Sequence, residues 1–263
     1  MASKNNRLSK SEVKKYHEEG WIGPFKLISP MEMANLSDVI QKQVIEPVKQ
    51  QNLEENDYFH NRHLDIQEIW ELFSNPELVE RAGSILGPHL VLWRSNFQFK
   101  PPLNDQKEFN YGWDTSAPWH QDCAYYQPSP NVILSAWIAV DEVDKGNGCM
   151  QIIPGSHKKL YPHVPNPKYI PGSGFFDKAV DPLLIDEKKA IDVELKPGEF
   201  ILFSESILHS SVPNLSERRR FGLSPRITVP FVDIGDRDNL KVLMLKGEDY
   251  MGDFNVVNPP QNY

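Results

Sequence analysis

Trp119-His120-Gln121-Asp122 sets an imidazole and a carboxylate two residues apart, and His209 supplies a second imidazole far downstream. Side chains alternate along an extended strand, so His120 and Asp122 are expected on one face, aimed at one object. A third group reaching that object from a distant strand makes two imidazoles and one carboxylate, with half of a metal's coordination sphere left open. That ligand set suits a ferrous ion that must also take a cosubstrate and O2. His209 follows the apolar run Phe200-Ile201-Leu202-Phe203, itself preceded by the turn Pro197-Gly198, so it is expected at the end of a buried strand.

Beyond His209 stands Arg218-Arg219-Arg220. The first two are expected to form a solvated surface run. The third opens the strand Arg220 to Ile227, where the period of two sets Phe221, Leu223 and Ile227 on one face. Arg220, Gly222, Ser224 and Arg226 then share the other. With the apolar face on a core, both arginines aim into the mouth of a barrel, where a buried guanidinium requires an anionic partner. A dicarboxylate cosubstrate held by a bidentate fork would supply one.

These residues need a scaffold, and the pattern of the chain supplies it. Ser9 with Glu12, and Ser29-Pro30 with Glu32, read as helix N-termini. Two more helices are expected over Asp65 to Phe73 and from Asn75-Pro76-Glu77 to Gly87-Pro88. From Leu90 onward the chain turns to β-type runs: Leu90 to Lys100, Ile133 to Val140, Cys149 to Ile153, Ala190 to Leu195, Phe200 to Phe203, Phe221 to Val229 and Lys241 to Leu245. Helices first and strands after, without alternation, predict a mainly β (α+β) fold. Its core would be an antiparallel sandwich or jelly roll with the N-terminal helices packed on one sheet. The chain reads as a single domain over 1–263, with a helical part over 1–89, the jelly-roll core over 90–246 and a tail over 247–263. The Pro- and Gly-rich stretch from Tyr161 to Asp186 is expected to be a long loop, either a functional lid or disordered.

Composition narrows the function classes. A net charge of −8 with no basic stripe makes nucleic acid an unexpected partner. Cys123 and Cys149 form neither a disulfide framework nor a zinc spacing and read as reduced thiols. Met1 to Lys15 lacks an apolar core, so no secretory signal is expected. No apolar run is long enough to span a bilayer, and a cytoplasmic location follows as the default expectation.

Several stretches together resemble the phytanoyl-CoA dioxygenase-like family of Fe(II)/2-oxoglutarate oxygenases, near its branch of non-haem chlorinating enzymes. They are Trp119 to Asp122, Ala136-Trp137-Ile138-Ala139-Val140-Asp141, Asn147 to His157, Pro197-Gly198-Glu199, His209-Ser210-Ser211, Pro213 to Ser216 and Arg220-Phe221-Gly222-Leu223. Gly23-Pro24-Phe25 and Leu92-Trp93-Arg94-Ser95 also match. The resemblance implies a double-stranded β-helix of the jelly-roll or cupin-like type. It implies Fe(II) on His120, Asp122 and His209, with 2-oxoglutarate and O2 as cosubstrates. Arg220 matches the arginine that binds the distal carboxylate of 2-oxoglutarate, and Gln98 and Trp137 match positions that line its pocket. His157, in the Pro-Gly-Ser-His turn, is expected to be structural. The chlorinating branch has a small residue in place of the carboxylate ligand. Retention of Asp122 therefore implies hydroxylation of a C–H bond, with desaturation, cyclisation or halogenation as alternative outcomes of the same cofactor chemistry.

The expected substrate is a small molecule of specialised metabolism, either free or attached to a carrier protein, walled by Leu103 to Pro118, Tyr125 to Pro130 and Tyr161 to Asp181. Arg226, Lys100 and Tyr125 are candidates to contact it, and His60 and His63 could pair with an anionic group. Two other readings compete. A β-barrel binding protein without turnover has no need of an open metal site. A hydrolase would need a base to activate water, and none stands out.

Overall fold

The computed structural model describes residues 6–51, 59–105, 116–169, 176–235 and 240–261. Ser9 accepts from the Glu12 amide while Glu12 reaches back to the Ser9 amide, which fixes the start of α1 (Lys10–Glu19). Gly20, at φ 82°, closes that helix in the left-handed region and turns the chain into β1 (Trp21–Lys26). The same reciprocal cap at Ser29 and Glu32 starts α2 (Pro30–Ile40). That helix continues through a wide π turn over Gln41–Ile45 into α3 (Glu46–Gln51). The π turn has no signature in the sequence. Two further helices, α4 (Gln67–Phe73) and α5 (Pro76–Leu86), lie where the caps and breakers predict them.

The large sheet runs in the order β1-β9-β4-β11-β2-β12-β13. Its members beyond β1 are β2 (Leu90–Lys100), β4 (Leu134–Ala139), β9 (Glu199–Ser204), β11 (Arg220–Thr228), β12 (Lys241–Lys246) and β13 (Asn255–Val256). The small sheet, in the order β3-β10-β5-β8, holds β3 (Ala117–His120), β5 (Met150–Ile152), β8 (Ile191–Val193) and β10 (His209–Ser211). A separate hairpin joins β6 (His163–Pro165) to β7 (Lys178–Val180). The double-stranded β-helix is thus built from two sheets, antiparallel except where β13 runs parallel to β12, with helices on the large one. Several strands of the small sheet are only three residues long, too short to carry a readable period.

Faces sort as the alternation requires. Phe221, Leu223 and Ile227 of β11 join Leu92 and Phe97 of β2 and Ala136 and Ile138 of β4 in one core with Met33, Leu36, Ile69 and Leu78 from the helices. The opposite face of β11 turns Arg220, Gly222, Ser224 and Arg226 inward. Arg219 departs from expectation. It is no solvated charge: its guanidinium grips Asp141 at 2.7 Å and donates to Ser37 Oγ and Gln41 Oε1, tying β11 to the second helix and the π turn. Arg218, half exposed, pairs with Asp144.

His63 is buried between the helices and β2, its Nδ1 2.7 Å from Ser95 Oγ and its Nε2 without a hydrogen-bond partner among the described residues. Burial pushes its pKa down to about 3. The unfolded imidazole takes a proton near pH 6.5, so below that pH the unfolded state binds more protons and stability falls as pH drops. The loss should reach on the order of 2–3 kcal/mol by about pH 4.5. Denaturant melts across this range should show a flatter slope in His63→Gln than in the wild type. Equal slopes would contradict the assignment.

Candidate metal centre

β3 and β10 are antiparallel neighbours, and His120 lies directly opposite His209 in their register, with ring centres 4.1 Å apart. His120 Nδ1 is 2.7 Å from Pro118 O and His209 Nδ1 is 3.1 Å from Ile207 O. A carbonyl oxygen only accepts, so each Nδ1 carries the proton and each Nε2 presents a lone pair. Asp122 reaches the centre by a route other than the expected strand alternation. β3 ends at His120, and Asp122 adopts helical angles, φ −60° and ψ −33°, just before the short helix α6 (Cys123–Tyr126). A turn, not strand alternation, brings its Oδ1 to 3.3 Å from His120 Nε2 and 3.8 Å from His209 Nε2. One ligand atom from each of the three buried residues lies within 4.8 Å of the other two.

The far oxygen of the same carboxylate is also committed. Asp122 Oδ2 accepts from Arg226 Nη2 at 3.0 Å. The guanidinium, 3% exposed, donates as well to Asn96 Oδ1, and its Nε lies 3.2 Å from Glu205 Oε1. Ser135 Oγ donates to that same glutamate oxygen. Burial alone would raise the Asp122 carboxyl, but Arg226, His209 and His120 outweigh it and hold it well below the usual carboxylate range. Burial and the Asp122 charge push Glu205 up to about 7, with Arg226 opposing them. Burial, with His120 alongside, pushes His209 down to about 4 against the pull of Asp122. Two imidazoles that each turn Nε2 inward and one ionised carboxylate, each anchored behind its donor atom, fit a divalent iron.

Arg226, expected among the substrate contacts, is thus placed against Asp122 and Glu205. Lys100, the other basic candidate, lies directly opposite Arg220 in the β2–β11 register, and both are buried. Lys100 Nζ donates to Ser211 Oγ at 2.7 Å and to Val212 O at 2.5 Å. Arg220 Nη1 donates to Gln98 O at 3.1 Å, and its guanidinium lies 5.7 Å from the Trp137 ring. Trp137 Nε1 donates to Gln98 Oε1 at 2.5 Å. Arg220, Gln98 and Trp137 are therefore brought together, with Lys100 beside them.

Gly222 makes room for that tryptophan. A Cβ added there would stand 2.3 Å from Trp137 Cζ2. Gly222→Ala should cost about 1–3 kcal/mol in denaturant unfolding through this overpacking, and an unchanged midpoint would contradict the reading.

Tyr125 roofs the opposite side. Its ring meets His120 edge-on at 5.8 Å, and its hydroxyl donates to Lys178 O on β7 at 2.5 Å. Phe176, beside that strand, brings its ring to 4.7 Å from His120. The wall and lid expected over Leu103 to Pro118 and Tyr161 to Asp186 lie outside the described residues at 106–115 and 170–175. His157 sits away from the centre, its Nε2 3.1 Å from His17 O.

Four further residues of the site carry little or no signal in the sequence. Gln121 donates from Nε2 to Lys159 O at 2.8 Å and to Ser206 O at 2.5 Å, and accepts from the Tyr161 amide at 2.8 Å. His163 Nε2 accepts from the Gln121 amide at 3.0 Å. No local signal marks either. Asn96 was within reach, since it shares the inward row of β2 with Gln98 and Lys100. Glu205 follows the apolar strand β9, with no local partner to mark it.

Fold and centre together define a 2-oxoglutarate-dependent non-haem iron dioxygenase, whose cofactors are Fe(II), 2-oxoglutarate and O2. Residues 16–222 match the family model described as phytanoyl-CoA dioxygenase (PhyH), and the chain belongs to that family. It is 26% identical over 239 residues to the peroxisomal phytanoyl-CoA dioxygenase of Bos taurus, covering 84% of this chain and 68% of that protein. It is 31% identical over 198 residues to a probable alpha-ketoglutarate-dependent hypophosphite dioxygenase of Stutzerimonas stutzeri, covering 71% of this chain and 63% of the relative. Among solved structures it resembles CytC3 with Fe(II) and alpha-ketoglutarate at a TM-score of 0.71 and 23% identity, over 98% and 96% of the two chains, a likeness of fold. Among the described residues no helix is long and apolar enough to cross a membrane.

Proposed function

We propose that this enzyme hydroxylates an unactivated C–H bond of a small molecule, converting 2-oxoglutarate and O2 to succinate and CO2 as it does so. The observation that carries the reading is the convergence of His120 Nε2, Asp122 Oδ1 and His209 Nε2, with the groups behind each of them already tied down. These three atoms would hold the iron. Iron and 2-oxoglutarate, when bound, supply the activation of O2 and the oxidising power for C–H cleavage. The chain's own residues hold, orient and enclose.

In this reading Arg220 receives the distal carboxylate of 2-oxoglutarate on its guanidinium fork. Lys100, its cross-strand partner, adds a second buried positive charge and belongs with the cosubstrate in this reading, not with the substrate. Trp137 walls the same pocket, its ring fixed by the bond to Gln98. Tyr125 and Phe176 shield His120 from solvent on the other side. Asp122 fills the position that a halide would need, which favours hydroxyl transfer over halogenation.

A screen of small molecules reading succinate release tests this reading. Release should require both Fe(II) and 2-oxoglutarate and rise with a substrate that gains one oxygen atom. Arg220→Ala should raise the 2-oxoglutarate concentration for half-maximal release roughly ten- to a hundredfold while iron binding holds, the loss of one charge-assisted contact. An unchanged requirement would remove Arg220 from the pocket.

A further inference from the structure

The inward row of β2 carries Arg94, Asn96, Gln98 and Lys100, which lie opposite Arg226, Ser224, Gly222 and Arg220 of β11 in register. Three of the four are committed to the site already described: Asn96 accepts from Arg226, Gln98 accepts from Trp137, and Lys100 donates to Ser211 and Val212. Arg94 differs. Among the described residues it makes no hydrogen bond and no ion pair, and its Nε is buried without a partner. Its guanidinium lies 5.0 Å from the Tyr126 ring, the same ring on which Arg226 packs at 5.0 Å. One aromatic ring therefore links Arg94 to the arginine that anchors Asp122.

The acids of this region are already engaged. Arg226 holds Asp122 Oδ2 and lies against Glu205 at 3.2 Å, whereas Arg94 acts on Glu205 only at longer range and has no oxyanion against its own guanidinium among the described residues. A guanidinium taken partly out of water requires an anion, and its planar fork matches an oxyanion bidentately. Arg94 is half-buried rather than sealed, so a ligand can reach it. We propose that Arg94 receives an oxyanion, a carboxylate or a phosphate, carried by the substrate, and so selects anionic small molecules. This inference rests on the reading of the metal centre given above.

The test uses the enzyme loaded anaerobically with Fe(II) and 2-oxoglutarate, so that the Arg220 pocket is filled, and titrates it by calorimetry with inorganic phosphate and, separately, with acetate. Loading is read first by the visible charge-transfer band of the iron–2-oxoglutarate complex. At least one of the two anions should bind at one per chain, and which one binds tighter identifies the class of oxyanion. Arg94→Gln should weaken that binding roughly ten- to a hundredfold, Arg94→Lys should retain part of it, and the band and the affinities for iron and 2-oxoglutarate should stay as in the wild type. Equal anion affinity in Arg94→Gln, or no saturable binding of either anion to the loaded wild type, would overturn the proposal and leave Arg94 as packing on Tyr126. If no band forms, the reading of the metal centre fails, and this proposal fails with it.

Discussion

Arg226→Met is expected to lose about 3–5 kcal/mol of folding stability in denaturant melts, the cost of leaving a buried charge uncompensated. Arg226 serves Asp122, Glu205 and Asn96 at once, from a position that is 3% exposed. Methionine fills much of the same volume but leaves two buried carboxylates facing each other. Glu205 already sits near 7 with the arginine present, so it would take up a proton and relieve part of the strain. Asp122 has no such escape without ceasing to be a ligand. Adding Glu205→Gln to Arg226→Met should therefore recover part of the loss, a coupling that a double-mutant cycle measures. Arg226→Lys should fall short of the wild type, because a single ammonium on a flexible stem cannot span three acceptors in one plane. Domains of this kind hold about 5–15 kcal/mol in all, so the single variant should also accumulate poorly. Wild-type stability in Arg226→Met would remove the arginine from its assigned place.

The second large effect falls on Asp122 itself. Asp122→Asn keeps shape and volume but offers one acceptor where two are needed. Arg226 Nη2 must find an oxygen on one side, and a metal must find one on the other. The amide turns its oxygen toward the arginine, because an NH2 group there would face a donor, and so presents NH2 to the space between the two Nε2 atoms. Iron affinity should fall by more than about a hundredfold, beyond the range for losing a mere supporting contact. Iron-dependent succinate release should go with it. Stability should change far less than in Arg226→Met, since the arginine keeps its hydrogen bond. Equilibrium dialysis against Fe(II) under anaerobic conditions checks the first part, and iron affinity within a few fold of wild type would contradict it.

The contrast between these variants shows where the sequence was informative. The two capping boxes, at Ser9 and Ser29, are local devices whose partners lie three residues apart, so they could be read directly. The inward row of β11 was legible because alternation is strict over nine residues and one face is plainly apolar. His120 and His209 could be nominated as partners, but only the pairing of two very short strands makes them neighbours. The conformation of Asp122 escaped notice because His-x-Asp fits a strand and a turn equally well. Arg226 looked like a residue in want of an anion because Glu205 and Asp122 stand far from it in the chain. Arg219 misled for the same reason, its acceptors Asp141, Ser37 and Gln41 being gathered only by topology. Long-range polar pairing is set by the fold and leaves no trace in local spacing.

The central claim is that His120, Asp122 and His209 bind one ferrous ion and leave room on it for a keto acid. Anaerobic titration of metal-free protein with Fe(II), with and without 2-oxoglutarate, addresses it most directly. One iron per chain should bind, a weak visible band should grow only when 2-oxoglutarate is also present, and both should disappear in His209→Ala. An intact band in His209→Ala, or a wild-type chain that takes up no iron, would contradict the account.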